Sequence, residues 1–413
     1  MRRLAVVHDV GAASVVDVAV ALEGLAEPVF VCPDSGVGEQ PREEMAEFGR
    51  LCDIGGLGPD EAAAKVRQER PDGIVTFNDY QLATTAGLAV ALDLPFHRPE
   101  LVHTLLHKSA QRAVLNACAA SEVPSRLVTE EASALEALAD TGLPAVFKPD
   151  VGTGSRNTYR IRSTEDLRAA CRAEFPDGAP AGPDAAFVLE SELPGRPDTA
   201  PWADYISVES AVLDGALCHL AVTGKFPLEP PFRETGSFLP ADLSERDERL
   251  VLDAVTRALT ALDIRTGLCH TEVKLTPSGP QVIEVNGRLG GPIGPLLARA
   301  CGLDPVRLAA RIALGDGGAQ DEIRDIAFDR IAFKYARLPP MSARRVAEVR
   351  GLERLRALPG VARVVPGQGV GSTTDWHVGT SGHVYLCFGT AASHGELAVL
   401  LEKMSDAVEV GYE

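Results

Sequence analysis

Two glutamates in the second half of the chain are spaced so that they could bind a metal ion. Residues 269–286 contain two strand-like runs around the turn cluster TPSGP, which predicts an antiparallel hairpin. If Leu275 pairs with Gln281 across the turn, Glu272 lies directly opposite Glu284. Like charges at directly opposed positions destabilise a hairpin, so a compensating positive charge is expected nearby.

Two alternatives could supply that positive charge, a basic side chain or a metal ion. Lys274 or Arg288 could neutralise the two carboxylates in a purely structural cluster. Alternatively, a divalent cation could lie between Glu272 and Glu284, with the side-chain oxygen of Asn286 as a further ligand. Magnesium suits such a site, because it binds a few carboxylates and completes its coordination with water and substrate phosphates.

Lysine is scarce in this chain, which makes each lysine a candidate for a specific task. Only seven of the 40 basic residues are lysine, and lysine is a common phosphate ligand. Lys108 lies in a predicted helix, Lys148 ends a predicted strand before a glycine-rich loop, and Lys274 lies on the carboxylate face of the hairpin. The glycines of the loop VGTGS allow its backbone N–H groups to approach a phosphate. Together these features predict a nucleoside-triphosphate site, and the absence of GxxxxGK[ST] shows that it is not a P-loop.

The elements that would position these residues follow from the hydrophobic pattern. Residues 1–97 alternate apolar strands such as LAVVHDV with helical segments such as DVAVALEGLA, which predicts a parallel α/β layer. No GxGxxG follows the first strand, so no dinucleotide site is expected there. Residues 98–126 are predicted to be helical, with Lys108 and Arg112 on one face. The strands LPAVFKPD and TYRIRS flank the glycine-rich loop.

Later segments are predicted to form antiparallel strands, a long loop and a final strand–helix region. DYISVESAVLDG and ALCHLAVTGKF read as paired strands, and residues 176–186 read as a loop. The loop 227–243 has little regular pattern, and loops this long in compact domains are often functional. A helix is expected over 244–262 and one or two helices over 294–315. Residues 330–413 return to strand–helix alternation.

Length, charge and cysteine spacing bound the class of protein. A chain of 413 residues is expected to form two to four domains. Its net charge of −18 argues against a nucleic-acid surface. The N-terminal apolar run is too short for a signal peptide, and no apolar stretch reaches membrane-spanning length. The eight cysteines are dispersed without a CxxC pair, so neither a zinc site nor a disulfide framework is expected, and the predicted location is the cytoplasm.

These motifs resemble the ATP-grasp superfamily, and within it the carboxylate–amine ligases that include bacterial L-amino acid ligases. The resemblance is most specific in HTEVKLTPSGPQVIEVNGRLGG and next in AVFKPDVGTGS with FVLESELPG. It implies an α/β (α+β) ATP-grasp fold in which two α+β lobes enclose ATP. The implied domains are a Rossmann-like N-terminal domain (1–97), a central lobe with the glycine flap (98–187), a lobe with the metal hairpin (188–329) and a C-terminal α/β subdomain (330–413).

The resemblance also assigns roles to individual residues. Glu272, Glu284 and Asn286 would hold Mg²⁺, as two ions, with Mn²⁺ as an alternative metal. Arg288, Lys274 and Glu234 are the implied catalytic residues, with Arg288 stabilising the transferring phosphoryl group. The implied ATP-binding residues are Lys108, Lys148, Gly152, Thr153, Gly154, Ser155, Glu190, Leu193 and Asp204.

Some of these assignments have a structural alternative. Glu190 and Leu193 match the adenine-binding hinge of those ligases, and Asp204 matches their ribose-binding acid. Alternatively, the acidic residues here could be solvated charges at strand ends, namely Glu190, Asp204 and Glu209. Lys225 likewise could be either a site residue or a solvated charge at a strand end. His270 is expected to pack or to hydrogen-bond rather than to catalyse.

Two positions near the acceptor pocket depart from the resembled ligases. Ser237 stands where those ligases often have histidine, and Pro292 stands where a bulky residue often follows the glycine pair. Both departures bear on the choice of substrate and leave the ATP site unchanged.

The reaction that the resemblance implies joins a carboxylate to an amine. The carboxylate attacks the γ-phosphate of ATP, and the amine then displaces phosphate from the acyl phosphate. The expected partners are a small-molecule acid and amine, amino acids or similar compounds, and a homodimer is implied. Two alternatives stay open, namely a carboxylating or formyl-transferring ligase of purine-type metabolism and an inactive nucleotide-binding protein.

Overall fold

The computed structural model describes residues 1–33, 39–176 and 185–413. Most of the loop predicted at 176–186 lies outside the described residues. Among the described residues, no helix is both long and apolar enough to cross a membrane.

The N-terminal region is the parallel α/β layer that the sequence predicts. Its strands are β1 (Arg3–Val7), β2 (Glu27–Cys32), β3 (Arg50–Asp53) and β4 (Gly73–Thr76), and its helices are α1 (Val15–Leu22), α2 (Glu39–Phe48), α3 (Pro59–Gln68) and α4 (Leu82–Leu92). The strands pair in the order β3-β2-β1-β4, and every pair is parallel. Buried side chains cover both faces of this sheet, which explains why its strands are apolar along their whole length.

The predicted helical stretch 98–126 is two helices, α5 (Pro99–Leu106) and α6 (Lys108–Ala117). His107 between them has extended backbone angles, so the chain turns there and Lys108 begins a new helix. Asp150 holds this corner, because its carboxylate accepts the Ser109 N–H at 2.7 Å and its carbonyl accepts the Lys108 N–H at 3.0 Å. The corner thus connects the first turn of α6 to the segment that follows Lys148.

The next lobe is a four-stranded sheet covered by two helices. Its elements are β5 (Ser125–Val128), α7 (Glu131–Thr141), β6 (Ala145–Pro149), β7 (Tyr159–Ile161), α8 (Thr164–Glu174) and β8 (Phe187–Ser191). The strands pair in the order β5-β8-β6-β7, all antiparallel. Phe147 stacks on Phe187, with ring centroids 4.5 Å apart, and this aromatic contact lies in the core between sheet and helices.

The remaining residues share an eight-stranded sheet. Residues 205–323 form β9 (Tyr205–Leu213), β10 (Ala216–Lys225), β11 (Gly236–Leu239), α9 (Glu245–Ala261), β12 (Gly267–Thr276), β13 (Gly279–Asn286), α10 (Ile293–Cys301), α11 (Pro305–Ala313) and α12 (Gly318–Ile323). Residues 331–412 form β14 (Ile331–Arg337), β15 (Val346–Arg350), α13 (Leu352–Arg356), β16 (Val361–Pro366), β17 (Tyr385–Ala391), α14 (His394–Ala407) and β18 (Glu409–Tyr412). The sheet order is β13-β12-β9-β10-β11-β14-β17-β16, and β15 pairs with β18 apart from it.

Two features of this sheet differ from the sequence-based expectations. The segment 227–243, expected to lack regular structure, contains β11, which pairs with β10 and with β14 about a hundred residues later. The sheet also continues across the predicted boundary at 329, and β8 crosses the one at 187. The four-domain division stays a prediction.

The hairpin of β12 and β13 places Glu272 directly opposite Glu284, as predicted. The register at the turn is different, because Leu275 lies opposite Pro280 rather than Gln281. The turn is therefore shorter than the five residues assumed, since Thr276 already pairs with Gly279. A register shift between Glu272 and Val273 restores the predicted opposition of the two glutamates.

Candidate active site

A cavity of about 690 Å³ lies between the N-terminal layer, the four-stranded lobe and the eight-stranded sheet. Of the fifteen residues that the sequence singled out as site residues, fourteen line it. They are Lys108, Lys148, Gly152, Thr153, Gly154, Ser155, Glu190, Leu193, Glu234, Glu272, Lys274, Glu284, Asn286 and Arg288. Asp204 is not in the lining but accepts a hydrogen bond of 2.6 Å from Lys274 Nζ, so it lies directly beside the cavity.

The two opposed glutamates are not neutralised by either cation proposed for that purpose. Lys274 pairs with Asp204, and Arg288 pairs with Asp79 of the N-terminal layer. Lys108 Nζ lies 3.7 Å from Glu284, which is a loose ion pair. The structural alternative drawn from the sequence, in which Lys274 or Arg288 neutralises the pair, is therefore wrong.

His270 assists in keeping Glu272 ionised. Its Nε2 lies 3.8 Å from Glu272, while its Nδ1 lies 2.8 Å from the buried carboxylate of Glu209. Burial alone would raise the pKa of Glu272, but the neighbouring imidazole and the charge of Lys225 outweigh it and lower the pKa to about 2. Burial alone would lower the pKa of His270, and the carboxylate of Glu209 reverses this and raises the pKa to about 9.

The donor set at the hairpin fits a hard divalent cation. Glu272, Glu284 and the side-chain amide of Asn286 present oxygen atoms on adjacent strands of one hairpin, and oxygen is the donor that such cations prefer. Within residues 1–33, 39–176 and 185–413, no three His, Cys, Asp or Glu side chains form a metal-binding cluster. A metal held here would thus have few protein ligands, which is typical of Mg²⁺ that also binds substrate phosphates.

The glycine-rich loop 152–155 lines the cavity and is hydrogen-bonded to three other segments of the chain. Lys108 Nζ donates a 2.7 Å hydrogen bond to the carbonyl of Gly152, and Ser155 Oγ donates one of 2.9 Å to the carbonyl of Phe232. From the C-terminal part of the chain, the Thr380 N–H donates to the carbonyl of Gly154 at 3.1 Å. The loop 152–155 is therefore held in a closed position over the cavity.

The hinge strand β8 carries a buried ionic cluster. Glu190 is only 4% exposed and lies 3.0 Å from Arg112 and 2.7 Å from Lys148. Burial alone would raise the pKa of Glu190, but the charges of Arg112 and Lys148 outweigh it and hold the pKa well below its usual range. Glu209 is also buried, so the interpretation of Glu190 and Glu209 as solvated strand-end charges is wrong.

Glu234 lines the cavity beside Lys225 and Ser237. Lys225 Nζ lies 3.1 Å from its carboxylate, and Ser237 Oγ donates to it at 2.9 Å. Burial would raise the pKa of Glu234, but Lys225 and Lys334 lower it. Lys225 is itself 2% exposed, so it is a buried member of the site rather than a surface lysine.

The sequence interpretation missed several lining residues from the two ends of the chain. The N-terminal layer contributes Asp9 and Asp79, and the C-terminal segment contributes Lys334, Thr380 and Ser381. The scarcity of lysine was the available signal, because five of the seven lysines line the cavity. Asp79 had no comparable signal, since its proximity to Arg288 depends on contact between distant segments.

Known proteins with similar sequences include ligases and an uncharacterised protein. No protein-family model matches the chain. An uncharacterised protein, y4rH of Sinorhizobium fredii, is 28% identical over 300 residues, covering 71% of this chain and 58% of that protein. The alanine–anticapsin ligase of Bacillus subtilis is 26% identical over 251 residues, covering 57% of this chain and 52% of that enzyme. The chain thus spans little more than half the length of these curated relatives.

Solved structures identify the fold. The L-amino acid ligase of Bacillus licheniformis superimposes with a TM-score of 0.76 at 21% identity, covering 100% of this chain and 99% of that one. The carboxyaminoimidazole ribonucleotide synthase of Aspergillus clavatus, solved with ATP, has a TM-score of 0.71 at 14% identity, covering 98% and 99%. The chain has the ATP-grasp fold, as its motifs predicted.

Proposed function

We propose that the protein is an ATP-dependent carboxylate–amine ligase that forms an amide or peptide bond through an acyl phosphate and releases ADP and phosphate. The observation that carries this proposal is the convergence in one cavity of opposed glutamates, a closed glycine flap and the Arg288 guanidinium. The similarity to alanine–anticapsin ligase and to a solved L-amino acid ligase favours amino acids, or an acid and amine resembling them, as substrates.

In this proposal, ATP binds with its base near the hinge and its phosphates toward the hairpin. Glu190 and Leu193 would lie near the base, and Asp204 near the ribose. Lys108 and Lys148, both in the cavity lining, supply positive charge toward the phosphates. The ion pair of Lys148 with Glu190 holds that lysine in place before ATP arrives.

The metal residues fit the chemistry that the reaction requires. Glu272, Glu284 and Asn286 would hold Mg²⁺, which when bound would neutralise charge on the phosphates. The carboxylate of Glu272 is kept ionised by the imidazole of His270 and by the charge of Lys225, so it is ready to bind a metal at neutral pH.

The protein's own residues would position the reactants and exclude water. Arg288, directed by Asp79 and by a 3.4 Å contact to Asn286, would stabilise the phosphoryl group as it moves to the substrate carboxylate. Glu234 would orient the incoming amine, and Lys274, which is held by Asp204, is the other proposed catalytic residue. The flap closed by Ser155 and Thr380 would keep water from the acyl phosphate.

The test is to assay the purified protein with Mg-ATP and a panel of amino acids, singly and in pairs, with products identified by mass spectrometry. The proposal predicts ADP and phosphate, with an amide product, only for certain acid–amine pairs. Formation of AMP and pyrophosphate would overturn the acyl-phosphate route. ADP release that depends on bicarbonate or formate would support the purine-type alternative, and ATP binding without turnover would support an inactive protein.

Glu284→Gln provides the matched test of the metal assignment. It keeps the volume of the side chain but removes the charge, so we expect ADP release to fall by about 100-fold or more. Glu396→Gln, an exposed change in α14, is the control and should leave turnover unchanged. Turnover by Glu284→Gln at the wild-type rate would contradict the assignment.

A further inference from the structure

Lys334 differs from the other lysines of the cavity in having no acidic partner. Lys108 pairs with Glu284, Lys148 with Glu190, Lys225 with Glu234 and Lys274 with Asp204. Among residues 1–33, 39–176 and 185–413, no carboxylate forms an ion pair with Lys334, although this side chain lines the same cavity. Each of the other four cavity lysines therefore has a carboxylate within ion-pair distance, and Lys334 does not among these described residues.

Strand register places Lys334 beside the acceptor end of the cavity. Lys334 on β14 lies directly opposite Ser237 on β11, and Ser237 lies directly opposite Lys225 on β10. Lys225 Nζ in turn lies 5.8 Å from the centre of the Tyr205 ring on β9. Lys334 therefore belongs to a row of cavity-lining side chains that crosses the sheet from β14 through β11 and β10 to β9.

The surroundings of Lys334 carry an excess of positive charge. Glu234 is the nearby acid, but its two carboxylate oxygens already accept from Lys225 and from Ser237. Glu234 thus forms its ion pair with Lys225 rather than with Lys334. The lining next to this row continues with the hydroxyl-bearing residues Thr380 and Ser381, which are polar but neutral.

Burial makes this uncompensated charge costly. Desolvation lowers the pKa of Lys334, and Lys225 lowers it further, while Glu234 raises it only in part. A half-buried ammonium that faces a cavity is stabilised when an anion enters that cavity. An anionic group of a ligand that binds beside Lys334 would therefore be stabilised by this ammonium.

We propose that Lys334 binds a carboxylate group on one of the two co-substrates, in addition to the carboxylate that is activated. This inference rests on the proposed ligase function and deepens it. The group is either the α-carboxylate of an amino acid that supplies the amine or a second carboxylate on the acid. Both sources present the same chemistry to Lys334, and the assay separates them.

The test compares carboxylate and carboxamide forms of each co-substrate in turn, with the other co-substrate unchanged. The wild type is expected to use the carboxylate form with a kcat/KM about 10- to 100-fold higher, the range of one charge-assisted hydrogen bond. In Lys334→Met this preference should fall toward one for the co-substrate that Lys334 binds. Lys334→Arg, which keeps the charge, should retain part of the preference. Lys403→Met, an exposed lysine of α14, is the control and should keep the whole preference.

Three results would contradict the inference, and the third would also contradict the proposed ligase function. An unchanged carboxylate preference in a ligating, folded Lys334→Met variant overturns the inference alone. So does a raised KM for ATP with an unchanged preference, because Lys334 would then act on a phosphate. A wild-type protein that ligates no pair overturns the proposed function as well. Thermal unfolding of Lys334→Met and Lys334→Arg, measured beside the wild type, verifies that both variants are folded.

Discussion

Replacement of Glu190 by glutamine tests the buried ionic cluster of the hinge. Glu190 is 4% exposed and lies between Arg112 and Lys148, whose side chains are 4% and 12% exposed. Glutamine keeps the size of the side chain but leaves two buried cations without their counter-charge. Because removing one partner of a buried ion pair leaves an uncompensated charge, we expect the free energy of unfolding to fall by about 3–5 kcal/mol.

The contacts of the cluster indicate which other parts of the site the Glu190→Gln substitution will affect. Arg112 also donates to the carbonyls of Val282 and Ile283 in β13, so the cluster connects β8 to the β12–β13 hairpin. Lys148 loses its anchoring carboxylate in the same variant. We therefore expect a weaker affinity for Mg-ATP in addition to the loss of stability.

The assay is urea unfolding of wild type and Glu190→Gln with and without Mg-ATP. Glu165→Gln is the matched control, because Glu165 pairs with Arg172 at the surface, where the two side chains are 69% and 58% exposed. An exposed pair contributes about 0–1 kcal/mol, so this control should change the unfolding free energy by no more than that. A loss for Glu190→Gln that is no larger than for Glu165→Gln would refute the reasoning about burial.

Two further substitutions test the flap and the phosphoryl site. Gly379→Ala should raise the KM for ATP several-fold, because a Cβ at this positive-φ position would lie 2.0 Å from the carbonyl oxygen of Gly154 and push the flap open. Gly56→Ala, at a similar φ with no atom within 4 Å of the added Cβ, should leave that KM unchanged, and equal effects would argue against flap contact. Arg288→Lys should lower kcat by about 10-fold or more with little change in the KM for ATP. Lysine lacks the planar guanidinium, whose Nη2 donates to Asp79 and Asn286 while its Nη1 donates to the Leu289 carbonyl. A kcat equal to that of the wild type would remove Arg288 from the transition state.

Features that depend on short-range pattern were predicted well. The alternation of apolar strands and helices over 1–97 is the parallel layer, and the turn cluster after Leu275 closes the hairpin. The opposition of Glu272 and Glu284 was also predicted, although the turn and the register shift that produce it were not. Residues facing each other across a local hairpin are related by alternation, which a sequence displays directly.

Features that depend on distant pairing were missed. The segment that contains β11 looked irregular because Gly236–Leu239 is short and becomes a strand only between β10 and β14. The contact of the flap with residues 376–381 and the ion pair of Arg288 with Asp79 also join segments separated by about two hundred residues. No local periodicity encodes such contacts.

The amino-acid sequence by itself determined the kinds of groups available: opposed carboxylates on a hairpin, a glycine loop after Lys148, and few lysines. Tertiary structure decided which of those charges are neutralised, because pairing depends on which segments meet in space. It directed Arg288 to Asp79 and Lys274 to Asp204, so neither of these cations pairs with the two glutamates, which lie beside Lys108 and His270 instead. It also brought Lys334 into the cavity lining opposite Ser237, near the Glu234 carboxylate that accepts from both Lys225 and Ser237.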